Sequence, residues 1–186
     1  MAAAPTSTGR VATGYHGTNN AAAAAIIRVG FRQSSKAEDW LGDGAYFFQD
    51  APRRAWEWAE ERFKADAAVI EANIELKDFI DLLDTKWSSW LATVHDEFVR
   101  LQKASGASLP IQRGGAHRLD RAVLNFAVDV LENDGQTVRG IRGAFQEGFP
   151  VFPNSALFSL SHVQIAVRDL SLISECRMIT ELEAKS

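Results

Sequence analysis

The chain has 186 residues, of which 46% are hydrophobic and 24% charged, and its 24 acids against 20 bases give a formal charge of −4. That is apolar mass enough for one globular core, and a net negative charge supplies no general pull toward a phosphate backbone, so any nucleic-acid contact must be local. A single cysteine, Cys176, excludes an intrachain disulfide and a multi-cysteine zinc site.

The opening MAAAPTSTGR lacks a basic region followed by an apolar stretch, so it does not read as a signal peptide. The longest apolar run, residues 21–27, is far short of the ~20 residues that span a bilayer. The expectation is a soluble, cytosolic protein with no membrane partner, residues 1–10 forming a loose tail and residues 11–186 a single domain.

Residues 11–15 are a short strand candidate leading into His16-Gly17-Thr18. Asn19 or Asn20 can cap a helix favoured by the alanines at 21–25, and Gly30 ends it, with Phe31 free to fold back on the last turn. A polar loop follows over residues 33–44. Residues 45–48 (AYFF) read as a buried strand, and Pro52 suits the first turn of a helix carrying Trp56, Trp58 and Phe63. Residues 68–76 alternate, with Ile70, Ala72, Ile74 and Leu76 facing one way and Glu71, Asn73 and Glu75 the other, which predicts a half-buried strand. Trp87, Trp90, Leu91, Val94, Phe98 and Leu101 share a helical stripe.

Residues 105–115 read as a loop. The spacing next predicts a helix over 117–132 that buries Leu119, Val123, Phe126, Ala127 and Val130. Strand character returns at 137–145 and 163–167, on either side of a Pro- and Phe-containing loop. Strands at both ends with helices between argue for an α+β fold.

Three segments could carry chemistry. In Tyr15-His16-Gly17-Thr18, a glycine at a strand end lets a planar ligand approach the backbone; the alternative is a turn in which His16 caps a carbonyl. In Gly42-Asp43-Gly44-Ala45-Tyr46, two glycines bring the chain close to something and an aromatic wall follows, suited to stacking on a heteroaromatic ring; the alternative is a glycine turn into a core strand. In residues 161–169 (SHVQIAVRD), period 2 puts Val163, Ile165 and Val167 on one face and His162, Gln164 and Ala166 on the other. That suits the lining of a cleft, and equally any one-sided sheet. Arg139 and Arg142 fall on opposite faces of the preceding strand, with surface solvation expected for both.

Taken together, His-Gly-Thr after a first strand, Gly-x-Gly-x-Tyr-Phe some thirty residues on and a polar-lined late strand resemble the ADP-ribosyltransferase superfamily of the diphtheria-toxin and poly(ADP-ribose) polymerase type, with its His-Tyr-Glu signature. The resemblance covers about residues 11–169. It implies two small, mostly antiparallel sheets forming an NAD cleft with flanking helices. It also implies NAD as co-substrate, held by His16, Gly17 and Thr18, with Tyr46 stacking on the nicotinamide and a second aromatic, such as Trp56, from the next helix. ADP-ribose would pass to a macromolecular acceptor, protein or nucleic acid, with release of nicotinamide. Small stand-alone relatives include bacterial toxins and defence effectors, so the resemblance also implies a neutralising antitoxin or immunity protein as partner. No metal is called for.

The chain departs from the family pattern where the acid of the late strand stands as Gln164, giving His-Tyr-Gln. Cleaving the nicotinamide–ribose bond builds positive charge on the ribose, which a carboxylate stabilises better than an amide dipole. Glu147, at the end of the preceding strand, could supply the acid, or be a solvated loop residue. His162 could serve as base toward an acceptor, or make a structural hydrogen bond. Other readings stay open: a module of the same fold that binds NAD or ADP-ribose without turnover, an RNA 2′-phosphotransferase, and an unrelated α+β protein.

Overall fold

A computed structural model describes residues 9–112 and 117–186. In chain order the strands are β1 (Arg10–Asn19), β2 (Ala45–Gln49), β3 (Ala67–Leu76), β4 (Phe79–Asp81), β5 (Gly140–Phe145), β6 (His162–Val167) and β7 (Ile173–Ile179). The helices are α1 (Asn20–Val29), α2 (Pro52–Phe63), α3 (Lys86–Ala104), α4 (Arg118–Asn133) and α5 (Glu181–Lys185). The fold is α+β, as expected. Most of the expected tail lies outside the described residues, as do residues 113–115 of the 105–115 loop. β1 already begins at Arg10 and runs on to Asn19, past the expected strand at 11–15.

The expectation of two small sheets is corrected. The strands form one seven-stranded sheet in the order β4-β5-β6-β2-β1-β3-β7, antiparallel throughout except for the parallel β4–β5 pair. Its middle is nevertheless narrow. β1 pairs with β3 along all ten residues, from Arg10↔Leu76 to Asn19↔Ala67, but its register with β2 covers only Gly14↔Gln49 and Tyr15↔Phe48. Beyond Tyr15 the two strands part, so the sheet consists of two arms joined by a short seam.

Partners directly opposite in an antiparallel pair share a face. One face carries Ala12, His16, Phe47, Ile70, Ile74, Ile165 and Val167, and packs with Ala23 and Ile26 of α1 and with Phe31 into one apolar cluster. Asn19 is the N-cap that starts α1, accepting from the Ala22 amide at 2.8 Å, a bond worth about 1 kcal/mol. Gly30 ends the helix at φ 85°.

The opposite face is covered in two separate patches. Over β4, β5 and β6, Ile80, Ile141 and Ala166 pack with Trp87 and Val94 of α3 and with Leu124, Ala127, Val128 and Leu131 of α4. Over the other arm, Val69 and Ile179 pack with Ala55 and Ala59 of α2 and Ala184 of α5, Phe48 joining them from β2.

The α4 stripe is shifted from the expected one. Val123 and Ala127 are buried, but Leu124, Val128 and Leu131 complete the stripe while Leu119, Phe126 and Val130 sit at its margin. The cause is that α4 turns a polar edge, Arg121 and Asn125, toward the loop before β2, where both bond Asp43. Leu101, at the end of the α3 stripe, is 41% exposed. β4, β7 and α5 were not anticipated. β4 has three residues, and β7 is an edge strand whose burial follows no clean alternation.

Candidate functional site

Between the two helical patches, part of the sheet face is left to polar and aromatic side chains. The register Phe48↔Gln164, Gly143↔Gln164 and Phe145↔His162 puts Phe48, His162, Gln164, Gly143 and Phe145 on this face. Over them lies Trp40 from the loop before β2, its ring 4.9 Å from that of Phe145. A Cβ on Gly143 would come within 3.1 Å of the Trp40 ring, so the glycine makes room for the indole.

The loop is built to present that indole. Asp39 accepts from the Ser34 hydroxyl and the Lys36 amide, each at 2.6 Å, and a Ser34–Gly44 bridge closes the base.

The hydrogen bonds here have one self-consistent assignment. The Trp40 indole N–H is a donor only, so the Gln164 atom 2.7 Å from it is the amide oxygen. The Gln164 amide nitrogen then faces Nε2 of His162 at 2.8 Å, which must accept. His162 Nδ1 therefore carries the proton and donates to the Leu160 carbonyl at 2.6 Å. Trp40, Gln164 and His162 form a chain that keeps the imidazole neutral, with its acceptor nitrogen already engaged.

Burial pushes the His162 pKa down, as does the nearby Arg54 cation, against the opposing pull of the Leu160 carbonyl and Glu147. Glu147 lies at the edge of this patch and accepts from Arg54 Nη2 at 2.6 Å. The Arg54 guanidinium lies 5.4 Å over the Phe48 ring, and His162 packs on that ring at 4.8 Å. Gln164, His162 and Glu147 are thus brought together, with Arg54 beside them.

The amino-terminal motif sits differently. The His16 imidazole donates from Nδ1 to the backbone carbonyl of Tyr46 at 2.8 Å, across the opening where β1 and β2 part, which leaves Nε2 as the acceptor nitrogen. Its ring lies edge-on to Phe31 at 5.3 Å and 5.8 Å from Phe47, on the α1 face. Burial holds it neutral by lowering its pKa.

The Tyr46 ring points to the opposite face, among Leu41 and the apolar residues under α3 and α4. Its hydroxyl donates to the Gly42 carbonyl at 2.7 Å and accepts from the Leu41 amide at 2.9 Å, and burial raises its pKa. The expectation that imidazole 16 and phenol 46 face a common hollow is therefore corrected. They meet through a backbone carbonyl, and Gln164 shares its face with Tyr46, not with His16. Alternation along β1 and β2 makes this unavoidable once His16 is level with Phe47.

Gly17 is pressed against α2, where an added Cβ would lie 2.6 Å from the Ala55 carbonyl oxygen. Thr18 is buried in β1 beside Ala68. Trp56 is half-buried in the α2 cluster with Phe48 and Ala55.

The two glycines before Tyr46 approach protein. Gly42 has φ +82°, and a Cβ there would sit 2.5 Å from the Asn125 amide oxygen, while Gly44 backs onto the β6 backbone at Val167. Asp43 between them accepts from Arg121 at 2.5 Å. Arg142, expected at the surface, is 7% exposed and bonded to Gln49 and Asp81.

Among the described residues no group of three or more His, Cys, Asp or Glu side chains is placed to hold a metal ion, and no helix is long and apolar enough to cross a membrane. Trp40, Arg54 and Phe145 escaped the sequence reading. A lone tryptophan inside an otherwise polar loop was the one available signal.

The two depressed imidazoles give a signed pH dependence. In the unfolded chain both take a proton as pH falls through about 6.5; in the folded chain they do so only at lower pH. Stability gains nothing from them above pH 7 and is lost as pH falls below 6.5, by at most about 1.4 kcal/mol per pH unit for each imidazole. Urea unfolding at pH 7.5 and 5.5 should show the loss, and His162→Gln should reduce it. An unchanged pH slope in that variant would show that His162 titrates normally.

Comparison with protein-family models, with curated proteins and with solved structures returned no match.

Proposed function

We propose that the chain is an NAD-dependent ADP-ribosyltransferase with an ADP-ribosyltransferase-like fold, releasing nicotinamide and passing ADP-ribose to a macromolecular acceptor. The observation that carries this reading is the contact between two of the three motif segments: His16 on β1 donates to the Tyr46 carbonyl on β2. β6, with Gln164 and His162, is the next strand along. The short β1–β2 seam also supports it, since it leaves the sheet open between the two arms that such a fold would use to grip a dinucleotide.

In this reading His16 acts from the far face of the sheet, fixing the β1–β2 opening through the Tyr46 carbonyl, and Gly17 lets α2 approach β1 closely, rather than either touching the nicotinamide. Gln164 accepts the ribose hydroxyl with its amide oxygen, which has a second lone pair beyond the one facing Trp40. Glu147 is the nearest carboxylate to the developing ribose charge. His162, held neutral, becomes a base toward the acceptor only after Gln164 releases its Nε2. Tyr46, on the face of Gln164, acts by fixing the Gly42 turn rather than by presenting an open ring face.

A second reading, a module that binds NAD or ADP-ribose without turnover, is favoured by the absence of an acid at 164 and by the engagement of both Gln164 polar atoms.

Incubation with NAD labelled in the adenylate half separates the two. Nicotinamide release with label transfer to a macromolecule is the expected result, falling about 10-fold or more in Gln164→Ala, by analogy with loss of one transition-state hydrogen-bonding group. Saturable NAD binding with no nicotinamide released establishes the module, and no binding at all removes both readings.

A further inference from the structure

We propose that Arg54 forms an anion subsite on the α2 side of this face, taking the oxygens of a phosphate or diphosphate group. The inference deepens the NAD reading by naming the residue that would meet the diphosphate, but its chemistry does not require turnover. A guanidinium offers five N–H donors in a rigid fork. Among the described residues the hydrogen bond it makes is Nη2 to Glu147, and its Nε is buried without an acceptor. The two other arginines whose buried Nε makes no hydrogen bond each reach two acceptors. Arg121 has Asp43 and the Ser35 carbonyl, and Arg139 has Asp78 and Asp169. Of the three, Arg54 is the one whose guanidinium lies over a ring, that of Phe48, on the face that carries Gln164 and His162.

Three features fit an anionic ligand. The Arg54 side chain is 11% exposed and lies over the Phe48 ring, so the fork is held in place, whereas the Glu147 side chain is 38% exposed and can be displaced. Arg54 also lies in the first turn of α2, whose N-cap residue Ala51 supplies no side-chain bond and whose first turn has no acid. The free N–H groups and positive end of the helix dipole therefore add to the same local field. Glu147 stands where a ligand oxygen would sit and competes with it for the fork.

That competition gives opposite signs for the two halves of the pair. Calorimetric titration with inorganic pyrophosphate and with ADP is the test, adenosine serving as the uncharged control. Pyrophosphate and ADP should bind the wild-type chain, Arg54→Gln should weaken both by about 10-fold or more, and Glu147→Gln should tighten both. Adenosine should be indifferent to either change. Arg54→Lys keeps the charge without the fork and should lose affinity with an unaltered melting temperature, which covers the case in which Arg54→Gln folds poorly.

The proposal is overturned if wild type binds neither anion, if Arg54→Gln binds them as wild type does, or if Glu147→Gln weakens binding as much as Arg54→Gln. The last result would make the pair a structural strut. Nicotinamide release is scored separately, so anion binding without release removes the transferase alone. Release with anion binding indifferent to Arg54 removes the subsite alone.

Discussion

Gln164→Glu is expected to raise the rate of nicotinamide release about 100-fold. A transition state that places positive charge on the ribose gains from a nearby full negative charge, and removing one well-placed electrostatic stabiliser from an active site typically costs about 10²–10³ in rate; restoring one should return a comparable factor. The surroundings at 164 predict a second effect that a simple gain of charge would not. The Trp40 indole can still donate to one carboxylate oxygen, but the other oxygen would face His162 Nε2, now an acceptor opposite an acceptor. Because Nδ1 is committed to the Leu160 carbonyl, the ring relieves the conflict by taking a second proton. The His162 pKa should therefore rise well above its present depressed position, visible in ring-nitrogen chemical shifts across a pH series. A raised His162 pKa without faster nicotinamide release would show that residue 164 does not face the reacting sugar, and would end the transferase reading.

The α+β class, β3, α1 with its Asn19 cap and the start of α2 at Pro52 were all legible, because each rests on local chemistry: alternation, capping or a proline ring. So was the division of β6 into an apolar face and a polar one. What escaped was set by neighbours that no local window contains. The Gly42-Asp43-Gly44 turn looked like a ligand-facing element, and its glycines are required instead by Asn125 on α4 and by the β6 backbone, far away in sequence. His16 and Tyr46 were expected to meet one nicotinamide, but the sequence does not reveal how two strands register, and a shift of one residue decides the face. The site's most constrained feature, the Trp40–Gln164–His162 chain, joins residues 124 apart. Composition singles out Trp40 only as an oddity in its loop, and nothing short of the fold gives it a partner.

Arg142→Ala should cost about 1–3 kcal/mol, since it strips the donor from the buried Gln49 amide oxygen and from the part-buried Asp81 carboxylate. At this chain length that corresponds to a fall of roughly 5 °C in Tm. Arg142 donates from Nε to the Gln49 amide oxygen at 2.6 Å and from Nη1 to Asp81 at 2.8 Å. Its register partner is Ile165, whereas Gln49 pairs with Val163, so the side chain reaches across β6 and ties β4 and β5 to β2 on the face away from Gln164. Truncation leaves Asp81 Oδ2 and the Gln49 amide oxygen without the donor that Arg142 supplied, while Arg142→Met together with Asp81→Leu and Gln49→Leu should recover most of the loss, since apolar packing can replace a polar group that is removed whole. Arg54→Ala breaks a pair of similar length and similar exposure but strips no buried amide of its donor, and should cost about 1 kcal/mol or less. A thermal melt of the two alanine variants thus separates the ion pair that holds the strands in register from the one we assign to a ligand. Equal losses in the two would mean that Arg54 is as much a part of the frame as Arg142.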